Sequence, residues 1–271
     1  MNISPALAER VLEKLGIRHL PKTSASGLAE IYQAWCRAVP FDNIRKRILT
    51  QRGHAHPLPG YTPSDFFLHW LKYGTGGTCW AGHSALYALL DYLDFPVQFA
   101  LSTMLSPHPQ LKESPGHGTL VVNFINNPLI VDATLLHGSP LPIIERHSPH
   151  PVWGTRVHYN SAGHWCINWK PLGRPRIDCR LLDTNAPAAE FPRRHELSRN
   201  NSRFDGATLI RLAGNESITG MVKGEKVTRA ADGSESFLTL SHHEQQKLLI
   251  EHFLIAEEVV IMIPKNEVSR Q

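Results

Sequence analysis

The sequence predicts an α+β fold in which a helical bundle precedes an antiparallel β-barrel and a last group of strands closed by a helix. Three observations carry that expectation. Apolar residues recur at helical spacing through roughly the first third of the 271 residues. From Val97 the period shortens to that of strands, and helical spacing returns only after Ser241.

The opening stretch, MNISPALAERVLEKLG, has an amphipathic helical pattern, and SGLAEIYQAWCRAVPFDNI follows with Leu28, Ile31, Trp35 and Ala38 on one face, stopping before Pro40. A loop rich in Pro, Gly and His spans about 51 to 62. SDFFLHWLKYG then reads as a helix capped by Ser64 and ended by Gly74, and a further helix runs from Cys79 to Leu93. VQFALSTML, GTLVVNFI, PLIVDATLL, TRVHYNSA and HWCINWK are strands separated by Pro, Asn and Gly. Residues 172–203 read as a long connection, followed by strands in GATLIRLAG, ESITGMVKGEKVTRAA and SFLTL. Ser241-His-His-Glu244 has the spacing of a capping box at the start of the last helix. The expected units are residues 1–95, 96–203 and 204–271.

With 42% hydrophobic and 19% charged residues of both signs, the chain should fold throughout. A net charge of +4 without a basic run longer than Arg193-Arg194 speaks against a nucleic-acid partner. The absence of a signal-peptide pattern and of any 18-residue apolar segment predicts a cytoplasmic protein without a membrane partner. Four cysteines without a CxxC pattern are expected to be reduced. Among the 16 histidines, His54-x-His56 and His242-His243 lack the spacing and company of a zinc site, so no metal is expected.

The chemistry centres on GTGGTCWAGHSALYALL, residues 74–90. Cys79 follows a glycine pair and starts a helix, where the positive end of the dipole and free N–H groups favour a thiolate and could form an oxyanion hole. A lone cysteine at a helix start is more often packing, so partners must decide. His117 lies at the mouth of an apolar strand in HGTLVV, and Asp132 lies inside LIVDATLL, where an unpaired carboxylate would be costly. The two strands are joined across Asn126-Asn127-Pro128, which brings base and orienting carboxylate onto neighbouring strands and requires a bulge or an offset contact between them. His83, four residues after Cys79 on the same helix, is a weaker partner because it leaves Asp132 unexplained, and the pair His164-x-Cys166 is weaker because it lacks a third, orienting group.

These residues resemble the arylamine N-acetyltransferase superfamily. GGTCW is similar to its RGGxCF segment, VPFDNI (39–44) to IPFEN, HGTLVV and VDATL to its histidine and aspartate segments, and SFLTLSHHEQQKLLIEHFLI to its closing strand and helix. The resemblance implies a helical bundle, a β-barrel and an α/β lid, with Cys79, His117 and Asp132 meeting as a triad akin to that of cysteine proteases. It implies an acyltransferase that moves an acyl group from a thioester, acetyl-coenzyme A or similar, through acyl-Cys79 to an amine. No permanently bound cofactor is expected, only the thioester co-substrate.

The chain departs from the family pattern at several positions. Thr75 replaces the arginine before Gly-Gly, Asp42 the PFEN glutamate, Ala81 and His83 the Glu and Asn after the nucleophile, and Ala133-Thr134-Leu135-Leu136 the VGFG after the aspartate. The ion pair between the first two positions is therefore not expected. Phe41, His83, Thr134 and Leu135 are carried over as substrate-lining positions. The altered pocket keeps two alternatives open: an offloading amide synthase or Dieckmann-type cyclase acting on an acyl chain held by the phosphopantetheine of an acyl or peptidyl carrier protein, and a non-catalytic small-molecule-binding protein of the same fold.

Overall fold

A computed structural model describes residues 2–53, 56–105, 115–125, 127–200 and 205–266; His54 and the expected boundary at residue 203 lie outside them. Helices α1 (Pro5–Lys14), α2 (Ala25–Ala38), α4 (Pro63–Tyr73) and α5 (Cys79–Tyr92) pack their apolar stripes into one core. Between α2 and α4 lie a two-residue strand, β1 (Phe41–Asp42), and α3 (Ile44–Gln51), neither expected from the sequence. The buried face of α3 includes Lys46 and Arg47, so its apolar stripe is broken. Helix α4 starts two residues earlier than read: Thr62, not Ser64, is its N-cap, accepting from the Asp65 N–H, with Pro63 at the first helical position. Gly74 ends it at φ 78°, a left-handed value that glycine tolerates.

The large antiparallel sheet has the order β5-β4-β3-β2-β9-β8-β7-β6 and curls into a half-barrel. Its members are β2 (Val97–Met104), β3 (His117–Phe124), β4 (Asn127–Val131), β5 (Leu141–Pro142), β6 (Arg146–Ser148), β7 (Thr155–Tyr159), β8 (Trp165–Trp169) and β9 (Ile177–Asp183). Two corrections follow. The 172–203 stretch is not merely a connection: it holds β9, which is central in the sheet, and α6 (Glu190–Leu197). β4 ends at Val131, because Asp132 opens a turn in which its carboxylate Oδ1 accepts the Thr134 N–H at 3.0 Å.

The second sheet, β1-β10-β11-β12-β13, comprises β1 with β10 (Leu209–Ala213), β11 (Ile218–Val222), β12 (Glu225–Arg229) and β13 (Glu235–Thr239). The stretch ESITGMVKGEKVTRAA is a hairpin, reversed at Lys223 (φ 53°) and Gly224 (φ 88°). α7 (His242–Glu251) opens with the expected capping box, Ser241 and Glu244 each bonding the other's backbone N–H, and α8 (Glu257–Val260) follows. Through β1 this sheet is tied to the loop that precedes Cys79: Phe41 pairs with Arg211 of β10 and also bridges to Gly77. Among the described residues, no helix is long and apolar enough to cross a membrane.

Candidate active site

The site lies where the N-terminus of α5 meets the ends of β3 and β4. The loop before α5 is held at close quarters. A Cβ on Gly76 would fall 1.8 Å from the Pro40 carbonyl oxygen, so only glycine fits there. The Gly76 N–H donates to Asp42 Oδ2 at 2.6 Å and the Ile44 N–H to Oδ1 at 2.9 Å. Burial raises the Asp42 carboxyl to about 6, against the pull of these two N–H groups. Thr75 turns to His69, its hydroxyl 3.0 Å from Nδ1. Asp42 thus grips the loop by its backbone, where the family pattern would use an ion pair.

Cys79 is the first residue of α5 and half-buried, whereas Cys36, Cys166 and Cys179 are buried. Thr78, its N-cap, makes no side-chain capping bond. His117, at the start of β3, bonds Asp132 Oδ2 through Nε2 at 2.7 Å. Burial disfavours its charged form, but the Asp132 carboxylate and Cys79 outweigh that and push His117 up to about 10. Asp132 is held well below the usual carboxylate range: burial would raise it, but the His117 imidazole beside it more than offsets that.

The contact between His117 and Asp132 is an offset one. Leu120 faces Val131 in the β3-β4 ladder, so carrying that register one residue on sets Asp132 across from Thr119, on the same sheet face as His117 but two residues away. No bulge is needed. Tyr32, on the buried face of α2, fixes the turn from behind: its hydroxyl donates to the Asp132 carbonyl at 3.1 Å and accepts the His137 N–H at 3.2 Å.

His83 completes a buried His-His-Asp cluster whose ligating atoms lie within 4.8 Å of one another. Its bonding defines its state. Nδ1 donates to the Gly118 carbonyl at 2.6 Å, and Nε2 accepts the Ala133 N–H at 2.9 Å, so the ring is the neutral Nδ1–H tautomer. Burial keeps it so, lowering His83 to about 4. The 3.4 Å approach of Nε2 to Asp132 Oδ1 is therefore not a charged pair. With that lone pair spent on Ala133, the cluster does not offer the free imidazole nitrogen that a metal site needs. Gly118 must be glycine for this carbonyl to approach, since a Cβ would lie 2.6 Å from the Trp80 ring and 2.9 Å from Phe191.

Phe41, His83 and Thr134 line the small cavity at Cys79 together with Thr78 and Ala133. Leu135 is placed elsewhere, in the half-barrel core with Ile130 and Leu141. Leu136, at the last position of the expected VGFG segment, keeps a left-handed φ of 50° although it is not glycine. Tyr32 and Gly118 were not singled out from sequence. A tyrosine within an apolar helical stripe is the signal that could have marked the former, because its hydroxyl needs a buried partner.

N-terminal helices, a curled eight-stranded antiparallel half-barrel and a second antiparallel sheet make up the arylamine N-acetyltransferase fold. The chain superposes on the arylamine N-acetyltransferase of Mycobacterium tuberculosis with a TM-score of 0.78 and 15% identity, covering 91% of this chain and 92% of that one. For the enzyme of Mycobacterium marinum the values are 0.81 and 13%, over 96% and 99%. For the NAT3 enzyme of Bacillus cereus, described as having a unique Cys-His-Glu triad, they are 0.75 and 15%, over 94% and 100%. No family model matches the sequence, and no curated protein matches it. The chain is thus a sequence-divergent representative of this fold.

Proposed function

We propose that the protein is a cysteine-dependent acyltransferase that carries an acyl group from a thioester, coenzyme A or a similar thiol, through acyl-Cys79 to an amine. The observation that supports it is the buried His117–Asp132 pair, 2.7 Å apart, where the ends of β3 and β4 meet the helix start that carries the half-buried Cys79, with an imidazole whose charged form is favoured. In this reading the proton of Cys79 rests on His117 and the thiolate attacks the thioester carbonyl carbon. The C–S bond to the leaving thiol breaks, that thiol takes the proton from His117, and acyl-Cys79 remains. The amine then attacks, His117 receives its proton, and the thiol of Cys79 is released. Uncapped N–H groups in the first turn of α5 are suited to hold the oxyanion. Exchange of one thioester for another is nearly isoenergetic, and aminolysis drives the cycle.

The decisive experiment is intact-mass analysis after mixing with acetyl-, propionyl- and butyryl-coenzyme A. An adduct of acyl mass on the wild type, absent from Cys79→Ala and discharged by an arylamine or hydrazine, is expected. Absence of a Cys79-dependent adduct with every donor refutes the reading.

A further inference from the structure

Arg211, on β10, is buried at 7% exposure. Its guanidinium carbon lies 4.4 Å over the Phe41 ring and 5.8 Å from the Trp169 ring, so the cation is wedged between the edge of the second sheet and the half-barrel. Aromatic faces attract a cation but cannot accept its five N–H bonds in the plane where they point. Among the described residues Arg211 has no ion pair, and its Nε is sealed from solvent without an acceptor. Trp169 Nε1, a second N–H donor in the same wedge, is likewise sealed and unpartnered.

The fold does not treat its other buried arginines this way. Arg229, 2% exposed on the same sheet, spends its guanidinium on the Glu235 carboxylate and on the carbonyls of Val152, Lys170 and Pro171. Arg47 bonds the Thr208 hydroxyl and the carbonyls of Gly206, Pro264 and Lys265. A buried cation left without an anion is costly, and the cost is removed when an anion arrives. Room for this cation is also built in: Gly220 faces Arg211 across the ladder, and a Cβ there would sit 3.0 Å from Arg211 Cγ.

The wedge adjoins the proposed nucleophile. Phe41, under the guanidinium, lines the cavity at Cys79 and bridges to Gly77, two residues before it. Cys79 and Asp132 are both within electrostatic reach of Arg211. We propose that Arg211, assisted by Trp169 Nε1, binds a carboxylate carried by the substrate near the reacting carbon, either on the acyl group or on the amine acceptor. The inference rests on the acyl-transfer reading and specifies the chemical class it handles.

Two arms separate the sources. In the donor arm, the rate of adduct formation on Cys79 is compared for succinyl- and butyryl-N-acetylcysteamine. In the acceptor arm, discharge of acyl-Cys79 is compared for 4-aminobenzoate and aniline. At least ten-fold preference for the carboxylate-bearing member is expected in one arm, lost in Arg211→Gln and partly kept in Arg211→Lys. Preference below two-fold in both arms, or retained in Arg211→Gln, overturns the proposal. Thermal unfolding adds a readout independent of turnover. Succinate or benzoate should raise the melting temperature of the wild type and not of Arg211→Met, and the unliganded variant should melt no lower than the wild type. A variant that melts lower, with neither carboxylate stabilising the wild type, would make Arg211 a structural wedge. If no donor ever labels Cys79, the acyl-transfer reading falls, and the carboxylate titration still decides whether Arg211 binds an anion.

Discussion

Replacing Asp132 by Asn tests the electrostatic core of the site, because it keeps the shape of the side chain and removes its charge. In the wild type the Asp132 carboxylate, 2.7 Å from His117 Nε2, helps hold that imidazole at about 10 against its ordinary 6.5. A raised histidine contributes stability that is complete below its unfolded value and is lost as pH rises through its folded value. Linkage over that interval amounts to about 5 kcal/mol at pH 5 and about 4 kcal/mol at pH 7, then falls by roughly 1 kcal/mol per pH unit up to about pH 10. The neutral-pH figure agrees with the ~3–5 kcal/mol typical of breaking a buried pair. Urea unfolding of both proteins at pH 6, 7, 8 and 9 should therefore show a gap of up to about 4 kcal/mol near neutrality, Cys79 supplying part of the His117 shift, that narrows steadily with pH. In parallel, iodoacetamide labelling of Cys79 at pH 6 should slow by roughly ten-fold or more in the variant, since burial alone would leave His117 neutral there. A gap that does not change with pH, or labelling indifferent to the substitution, would refute the view that Asp132 acts by holding His117 charged.

Three further outcomes are expected. Gly76→Ala, which drives a Cβ into the Pro40 carbonyl oxygen, should cost roughly 2–4 kcal/mol in urea unfolding, whereas Gly82→Ala, with no heavy atom within 4 Å of the new Cβ, should gain up to about 1 kcal/mol from helix propensity. Because burial raises Asp42 to about 6, the wild type should lose about 2 kcal/mol relative to Asp42→Asn as pH rises from 4 to 7; a flat difference would contradict the burial argument. His83→Phe leaves the Gly118 carbonyl and the Ala133 N–H without partners and should cost roughly 2–4 kcal/mol at pH 7; the wild type should approach the variant between pH 6.5 and 4, where the neutral ring begins to disfavour folding, as equilibrium unfolding at each pH would show.

What could be read from the sequence follows from how local each signal is. Ser241 and Glu244 cap α7 through bonds within four residues, and Gly74 ends α4 through its own φ, so both were legible. Helix α3 was not, because Lys46 and Arg47 occupy its buried face and their partners come from residues 198 and 205–266, far along the chain. Strand β9 hides between prolines, and its place in the sheet depends on pairing with both β2 and β8. Asp132 was legible as a partnered carboxylate because burial demands a partner, but its position in a turn rather than a strand depends on the bond to the Thr134 N–H. Arg211 could not have been found in LIRLA at all. Its burial is set by the register with Phe41, and its lack of an acceptor by what Trp169 brings from another sheet.

The departures from the family pattern become coherent once Asp42 is seen to hold a backbone. Thr75 cannot form an ion pair, yet the loop before Cys79 is still fixed at two points, the Gly76 N–H on Asp42 and the Phe41–Gly77 bridge. Both run through β1, and β1 pairs with the strand that carries Arg211. The position of the thiol and that of the unpaired cation are therefore set by the same two residues, Phe41 and Asp42. A substitution that shifts β1, such as Phe41→Ala, removes the ring beneath the guanidinium and one anchor of the Gly77 segment together, so carboxylate stabilisation and Cys79 labelling should weaken in the same variant. Thermal shift with succinate and iodoacetamide kinetics on that one protein check the coupling, and loss of either without the other would separate the two functions of β1.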